Sequence, residues 1–84
     1  MTYEEIEELF EQDRPHKGWE GDNAFQGLQI LSKYSDNLIQ GAGHDVIWSL
    51  GIDELEELEV TKKDLEALID LNWHLDEGGL ACFV

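Results

Sequence analysis

The chain has 84 residues, among them 20 Asp or Glu and five Lys or Arg, and its formal net charge is −15 at pH 7. Its hydrophobic content of 42% is ordinary for a globular protein, so we predict one acidic domain over residues 1–84 and exclude general disorder. Nucleic acid and anionic membranes are poor direct partners, because both would repel so acidic a surface.

Cysteine content and hydropathy bear on the compartment. Cys82 is the single cysteine, so no internal disulfide can form, which fits a reducing cytosol. The first residues are acidic and lack the basic and apolar segments of a signal peptide. No apolar run approaches the roughly 20 residues of a transmembrane helix. We therefore expect a cytoplasmic protein without a membrane partner.

The N-terminal segment has the pattern of a capped amphipathic helix. Thr2 is followed three residues later by Glu5, which is the spacing of a capping box. Apolar residues then recur at helical spacing, namely Tyr3, Ile6, Leu9 and Phe10. These features predict a first helix over roughly residues 3–12.

A connector and a second helix are expected next. Residues 13–22 contain two glycines and a proline, and we expect Trp19 within them to fold back and cap the core. A second helix is predicted from Asn23 to about Tyr34, since apolar residues again recur at helical spacing. Gly27 inside this helix lowers its stability, but it would allow another element to approach closely.

The best strand signal lies over residues 44–50, where β-branched and aromatic residues follow a glycine-rich turn at 41–43. Both faces of this strand are rich in apolar residues, so we expect it to be the central strand of a small sheet. Residues 73–84 predict a hairpin, because two short apolar runs flank Gly78 and Gly79.

The segment between the strand and the hairpin predicts further helical structure. Residues 52–60 indicate either a short helical turn or an ordered loop. Thr61, with Asp64 three residues later, predicts the cap of a third helix, and Asn72 is expected to end it in the left-handed conformation. The predicted fold is α+β, with about three helices packed on a small, mainly antiparallel sheet of about three strands.

Two clusters of acidic residues are the main candidate site. Glu4, Glu8 and Glu11 share one face of the first helix, where successive carboxylates rise by about 4.5 to 6 Å along the axis. The second cluster comprises Asp53, Glu54, Glu56, Glu57 and Glu59. Because DNA phosphates repeat about every 3.4 Å of axis along one strand, such a row can occupy a groove built for nucleic acid. The other interpretation is a solvated surface that maintains solubility.

Metal binding and nucleophilic catalysis are competing hypotheses. His44 and Asp45 could gather with His74 and Asp76 on adjacent strands as a transition-metal site, and Cys82 could act as a nucleophile beside a histidine. The simpler interpretation places the first four at outward polar positions of a half-exposed sheet and makes Cys82 a small core residue. Their spacing matches no metal motif, so we predict no catalytic residue, no metal site and no cofactor.

Several segments resemble small proteins encoded by bacteriophages and prophages. They are the strand at 44–48, the threonine-capped helix start at 61–65, residues 71–77 and the final strand at 82–84. Size and acidity are also similar to phage-encoded anti-CRISPR and anti-restriction proteins, several of which imitate DNA or block a nuclease surface. The resemblance implies a phage-type inhibitor of a host defence protein.

The favoured hypothesis is a non-enzymatic inhibitor that acts in the host cytoplasm as a monomer or homodimer. It would bind a basic host protein that handles nucleic acid and occlude the DNA- or RNA-binding surface of that protein. The residues expected to form the interface are Glu4, Glu8, Glu11, Asp53, Glu54, Glu56 and Glu57. A further hypothesis is an accessory interaction subunit whose acidity serves solubility alone.

Overall fold

Four helices and four strands make up the part of the chain that this computed structural model describes, residues 1–12 and 22–83. The helices are α1 (Tyr3–Glu11), α2 (Asn23–Leu31), α3 (Ile52–Glu57) and α4 (Lys62–Asp70). The strands are β1 (Gly41–Ala42), β2 (Val46–Gly51), β3 (His74–Asp76) and β4 (Gly79–Phe83). The predicted α+β class is confirmed, with one helix and one strand more than expected. None of the helices in these two ranges is long and apolar enough to cross a membrane.

The strands form one antiparallel sheet in the order β1-β2-β4-β3, so β2 is an inner strand, as predicted. Ile47 pairs with Cys82 of β4, and Trp48 pairs with Ala81. Neighbouring residues of a strand face opposite sides of the sheet. Ile47 and Cys82 therefore share one face, and Trp48 and Ala81 share the other.

The start of the sheet differs from the sequence prediction at two points. Residues 41–42 form β1 where only a turn is predicted, and Gly43 N donates to Val46 O at 2.8 Å to close the connection to β2. β2 begins at Val46, because His44 and Asp45 form the bend between the two strands. A two-residue strand with a glycine has no propensity or periodicity that a sequence pattern could detect.

The predicted C-terminal hairpin is confirmed, but its turn lies one residue earlier than expected. Glu77 and Gly78 are the two turn residues, with φ of 51° and 81°. Positive φ at both central positions is the requirement of a type I′ turn, which matches the twist of the flanking strands. Gly79 instead belongs to β4, where it pairs with Asp76 on one side and with Gly51 on the other.

The helix caps follow the sequence prediction. Thr2 Oγ1 accepts from Glu5 N at 3.2 Å, and the Glu5 carboxylate accepts from Thr2 N at 2.9 Å, which completes the capping box of α1. These hydrogen bonds hold the pKa of Glu5 below its ordinary value. Thr61 Oγ1 accepts from Asp64 N at 3.2 Å to begin α4, and Asn72 follows that helix with a φ of 66°.

The structure shortens the predicted α2 and shows that residues 52–60 include a helix. α2 ends at Leu31, and the predicted continuation to Tyr34 is a turn in which Tyr34 N donates to Leu31 O at 2.9 Å. Residues 52–60 contain the helix α3, so the helical alternative is correct for that segment. Its N-terminus is closed by the Glu54 carboxylate, which accepts from Gly51 N at 3.0 Å.

The core lies between the helices and the sheet face that carries Cys82. Side chains from all four helices and from β2 and β4 are buried there. Its fully buried members include Ile6, Leu31, Leu50, Ile52, Leu55, Leu65, Leu68 and Leu80. Removal of so much apolar surface from water stabilises a domain of this size. The expectation that Trp19 caps this core lies outside the described residues.

Close packing of Trp73 on α2 explains the glycine inside that helix. Trp73 is 2% exposed, and its indole Nε1 donates to the carbonyl of Asn23 at 3.1 Å. A Cβ on Gly27 would lie 2.6 Å from Cζ2 of the indole and closer still to Nε1. The close approach predicted at Gly27 is therefore confirmed, and the approaching element is the segment between α4 and β3.

Asp64 joins the beginning of α4 to the turn after α2. Its carboxylate accepts from Lys33 Nζ at 2.9 Å and from the hydroxyl of Tyr34. The Asp64 side chain is 15% exposed, whereas that of Lys33 is 57% exposed. Hydrogen bonds from Lys33 and Tyr34 lower the pKa of Asp64, and the same ion pair raises the pKa of Lys33.

Replacing Asp64 with asparagine is expected to lower the free energy of unfolding by about 1 kcal/mol at pH 7, through loss of two charge-assisted hydrogen bonds. The folded-state pKa of Asp64 is lowered, so its contribution is present above the ordinary value near 3.8 and lost as pH falls through the folded value. Urea unfolding of the original protein and of the Asp64→Asn variant, from pH 7 to pH 2, measures this contribution. The difference between their free energies of unfolding should vanish at the acid end, and a difference that does not depend on pH would contradict the account.

Candidate functional site

The two acidic clusters lie on neighbouring helices, because α1 packs against α3. Tyr3 N donates to the Glu56 carboxylate at 2.6 Å, so an acid of α3 binds the first backbone N–H of α1. Backbone N–H groups in the first turn of a helix have no partner within the helix and carry partial positive charge. The contact therefore fixes the N-terminus of α1 beside α3.

On α1 the predicted acidic residues point away from the core. Ile6 and Leu9 are buried, whereas Glu4, Glu8 and Glu11 are exposed. With 3.6 residues per turn, these three glutamates lie on the side of the helix opposite the two buried residues. The predicted shared face of the first helix is therefore present.

On α3 the four predicted acids divide into two pairs. Asp53 and Glu57 are exposed, and the structure gives them no hydrogen bond or ion pair with the described residues. Glu54 accepts from Gly51 N and from Gln40 Nε2, at 3.0 Å each. Glu54 and Glu56 are thus engaged in holding the fold. Both are predicted interface residues, and each has a structural role that the sequence interpretation does not assign.

The term acidic face is used below for the five predicted interface acids that have no hydrogen bond with the described residues: Glu4, Glu8, Glu11, Asp53 and Glu57. None of them forms an ion pair within residues 1–12 and 22–83. Among the lysines of these ranges, Lys33 is engaged with Asp64. Lys62 lines a depression of about 240 Å³ together with Glu8, without a salt bridge between them. Among the residues that the structure describes, the negative charge of the face is therefore largely uncompensated.

Tyr3 is a residue of this region that the sequence interpretation misplaced. It was assigned to the apolar stripe of the first helix, but it is 38% exposed at the junction of α1 and α3. Its position at the first residue of α1 puts it beyond the buried part of the stripe. Leu58, just after α3, is 36% exposed. Both side chains expose apolar surface that a partner could bury.

The residues of the metal and catalytic hypotheses are not brought together. His74 pairs with Ala81, so His74 and Cys82 face opposite sides of the sheet. His44 and Asp45 are exposed in the bend before β2. The described ranges contain no group of three or more His, Cys, Asp or Glu side chains arranged to hold a metal ion.

Cys82 has the surroundings of a core residue. It is 1% exposed, and burial raises the pKa of its thiol. A raised pKa lowers the fraction of thiolate, which is the nucleophilic form. His74 is stacked on Phe83 at 5.0 Å between ring centroids, on the far side of the sheet from this thiol. The geometry gives Cys82 a packing role.

Comparison of the chain with known protein families, with curated proteins and with solved structures gives no match.

Proposed function

We propose that this protein is a non-enzymatic, phage-type inhibitor that acts in the host cytoplasm. Its acidic face binds a basic surface of a host defence protein and occludes the DNA- or RNA-binding site there. The observation that carries the proposal is the position of five exposed acids, without an ion pair among residues 1–12 and 22–83, on two helices packed side by side. Such a face attracts a basic surface over a long range and speeds the encounter.

Spacing on α1 supports occupation of a site built for nucleic acid. Glu4 and Glu8 are separated by about 6 Å along the helix axis, and Glu8 and Glu11 by about 4.5 Å. Phosphates of one DNA strand follow one another about every 3.4 Å of axis, which is the same scale. Partner lysines and arginines arranged for phosphates could therefore meet these carboxylates.

An exposed aromatic residue at the junction of α1 and α3 supports a protein as the partner. Tyr3 is 38% exposed there, next to the hydrogen bond from its backbone to Glu56. Tyrosine is among the residues that contribute most to protein–protein binding when a partner buries them. A face of acids alone would offer charge without such an anchor.

The first test is capture from a bacterial lysate that contains a nucleic-acid-guided nuclease system, with the tagged protein immobilised and a salt gradient for elution. We expect a basic nucleic-acid-binding protein to be retained at low salt and released at moderate salt, because salt screens charge pairs. Mass spectrometry identifies the retained protein. Retention of no basic protein at low salt would contradict the proposal and leave the acidic face as a solvated surface.

A further inference from the structure

The sheet face opposite the core carries aromatic side chains. Trp48, Ala81 and His74 are in register across β2, β4 and β3, so their side chains share this face. The core residues Leu80 and Cys82 lie at the alternate positions. Phe83, stacked on His74, is 56% exposed. Aromatic surface is thus presented on the side of the sheet away from the helices.

Trp48 is held in one orientation on this face. Its indole Nε1 donates to Asp76 Oδ2 at 3.1 Å, which ties β2 to β3 across the intervening strand. The ring lies beside β1, where a Cβ on Gly41 would be 3.3 Å from Cε3 and one on Gly43 would be 3.5 Å from Cη2. The glycines leave room for the ring, and the hydrogen bond fixes it.

A surface cavity of about 340 Å³ adjoins the fixed indole. Trp48, Asp76, Glu77 and Gln40 are among the residues that line it. The lining also includes Gly51 and Gly79, which pair with each other beyond an irregularity in the β2–β4 register. The cavity therefore has a tryptophan, two acidic residues and glycine backbone in its lining.

We propose that this cavity binds the guanidinium group of an arginine side chain from the basic partner. A guanidinium is planar and positively charged, so it stacks on an indole and donates hydrogen bonds to carboxylates at the same time. Asp76 accepts from Trp48 with Oδ2, and its other oxygen has no hydrogen bond with the described residues. The net charge of −15 favours a cation and disfavours a second copy of this chain.

The inference that the arginine belongs to the basic partner rests on the proposed function, whereas binding of a guanidinium group to the cavity does not. The site lies on the sheet, and the acidic face lies on α1 and α3. A partner that engages both would wrap around one end of the domain, beginning at the β3–β4 turn. Arginine binding can thus be measured without the partner.

The test is a titration of ¹⁵N-labelled protein with the capped tripeptide acetyl-Gly-Arg-Gly-amide, followed by NMR. The matched probe replaces arginine with citrulline, which is nearly isosteric and uncharged. We expect the indole N–H signal of Trp48 and the amide signals of residues 76–79 to shift with the arginine peptide. Equal shifts with citrulline, or shifts confined to α1 and α3, would overturn the proposal.

Two double variants test whether the charges of the cavity, and not the net charge of the protein, account for binding of the arginine peptide. Asp76→Asn with Glu77→Gln removes both cavity charges, while asparagine can still accept from Trp48, and we expect at least tenfold weaker binding of the arginine peptide. Glu4→Gln with Glu8→Gln makes the same change in charge on the acidic face and should leave that affinity within about twofold. Equal loss in both variants would show a general charge effect and overturn the site. Failure of partner capture with intact arginine binding would count against the proposed function alone.

Discussion

Reversing Glu8 and Glu57 to lysine should weaken binding to the captured partner at least 100-fold at low salt. The two substitutions remove one exposed acid from each helix of the acidic face and replace it with a charge that repels a basic surface. A 100-fold loss corresponds to about 2.7 kcal/mol, which is reasonable for two reversed charges at an interface. Binding isotherms at several salt concentrations measure it, and the loss should shrink as salt rises.

The matched control reverses Asp22 and Asp36, which makes the same change in net charge. Both residues are exposed and flank α2, which packs on α4 and β4. Asp22 makes no side-chain capping hydrogen bond, so its replacement leaves the cap geometry of α2 intact. We expect the control to weaken binding less than about threefold. If both variants lose affinity equally, net charge governs binding and the acidic face is not the interface.

Gly27→Ala should lower the free energy of unfolding by about 3 kcal/mol. Alanine inside a helix is ordinarily more stable than glycine by about 1 kcal/mol, so the expected sign is opposite to helix propensity. The added methyl group would overlap the indole of Trp73, which is 2% exposed and hydrogen-bonded to Asn23. The indole of Trp73 could not move away from this methyl group without straining the closely packed core.

Chemical denaturation followed by circular dichroism measures this effect. Gln26→Ala is the control, since Gln26 is an exposed neighbour on the same helix and its replacement should change stability by less than about 0.5 kcal/mol. A more stable Gly27→Ala protein would mean that Trp73 does not pack on α2 as described.

Local chemistry explains which parts of the fold could be predicted. The caps at Thr2 and Thr61 depend on residues three positions apart, so a sequence pattern contains all the information they need. Gly27 could also be predicted, because a glycine within a helical pattern needs a packing reason. The left-handed conformation of Asn72 at the end of α4 could be predicted as well, because asparagine is often found in that conformation after a helix.

Long-range pairing explains what could not be predicted. β1 is two residues long, and its pairing depends on the position of β2. The hairpin turns at Glu77 and Gly78 because Gly79 pairs with Gly51 in the sheet, and no local signal distinguishes the two adjacent glycines. The hydrogen bond from Trp48 to Asp76 joins residues 28 positions apart, so only the folded chain reveals it.

The charge pattern alone indicates the candidate site, whereas not all the hydrogen bonds of its residues can be predicted without the folded structure. All seven acids lie where the pattern places them, on α1 and α3. Glu54 stands three residues after Gly51, which is capping-box spacing, so its engagement with the backbone was detectable in the sequence. The hydrogen bond that Glu56 accepts could not be predicted, because its partner Tyr3 is 53 residues away in the chain.

Competition with DNA tests the central claim most directly. A fluorescently labelled duplex is bound to the captured partner, the protein is added, and fluorescence anisotropy reports how much duplex remains bound. We predict that one equivalent of this protein displaces the duplex and that the variant with Glu8 and Glu57 reversed does not. A ternary complex, in which the partner holds the protein and the duplex together, would contradict occlusion of a nucleic-acid-binding surface.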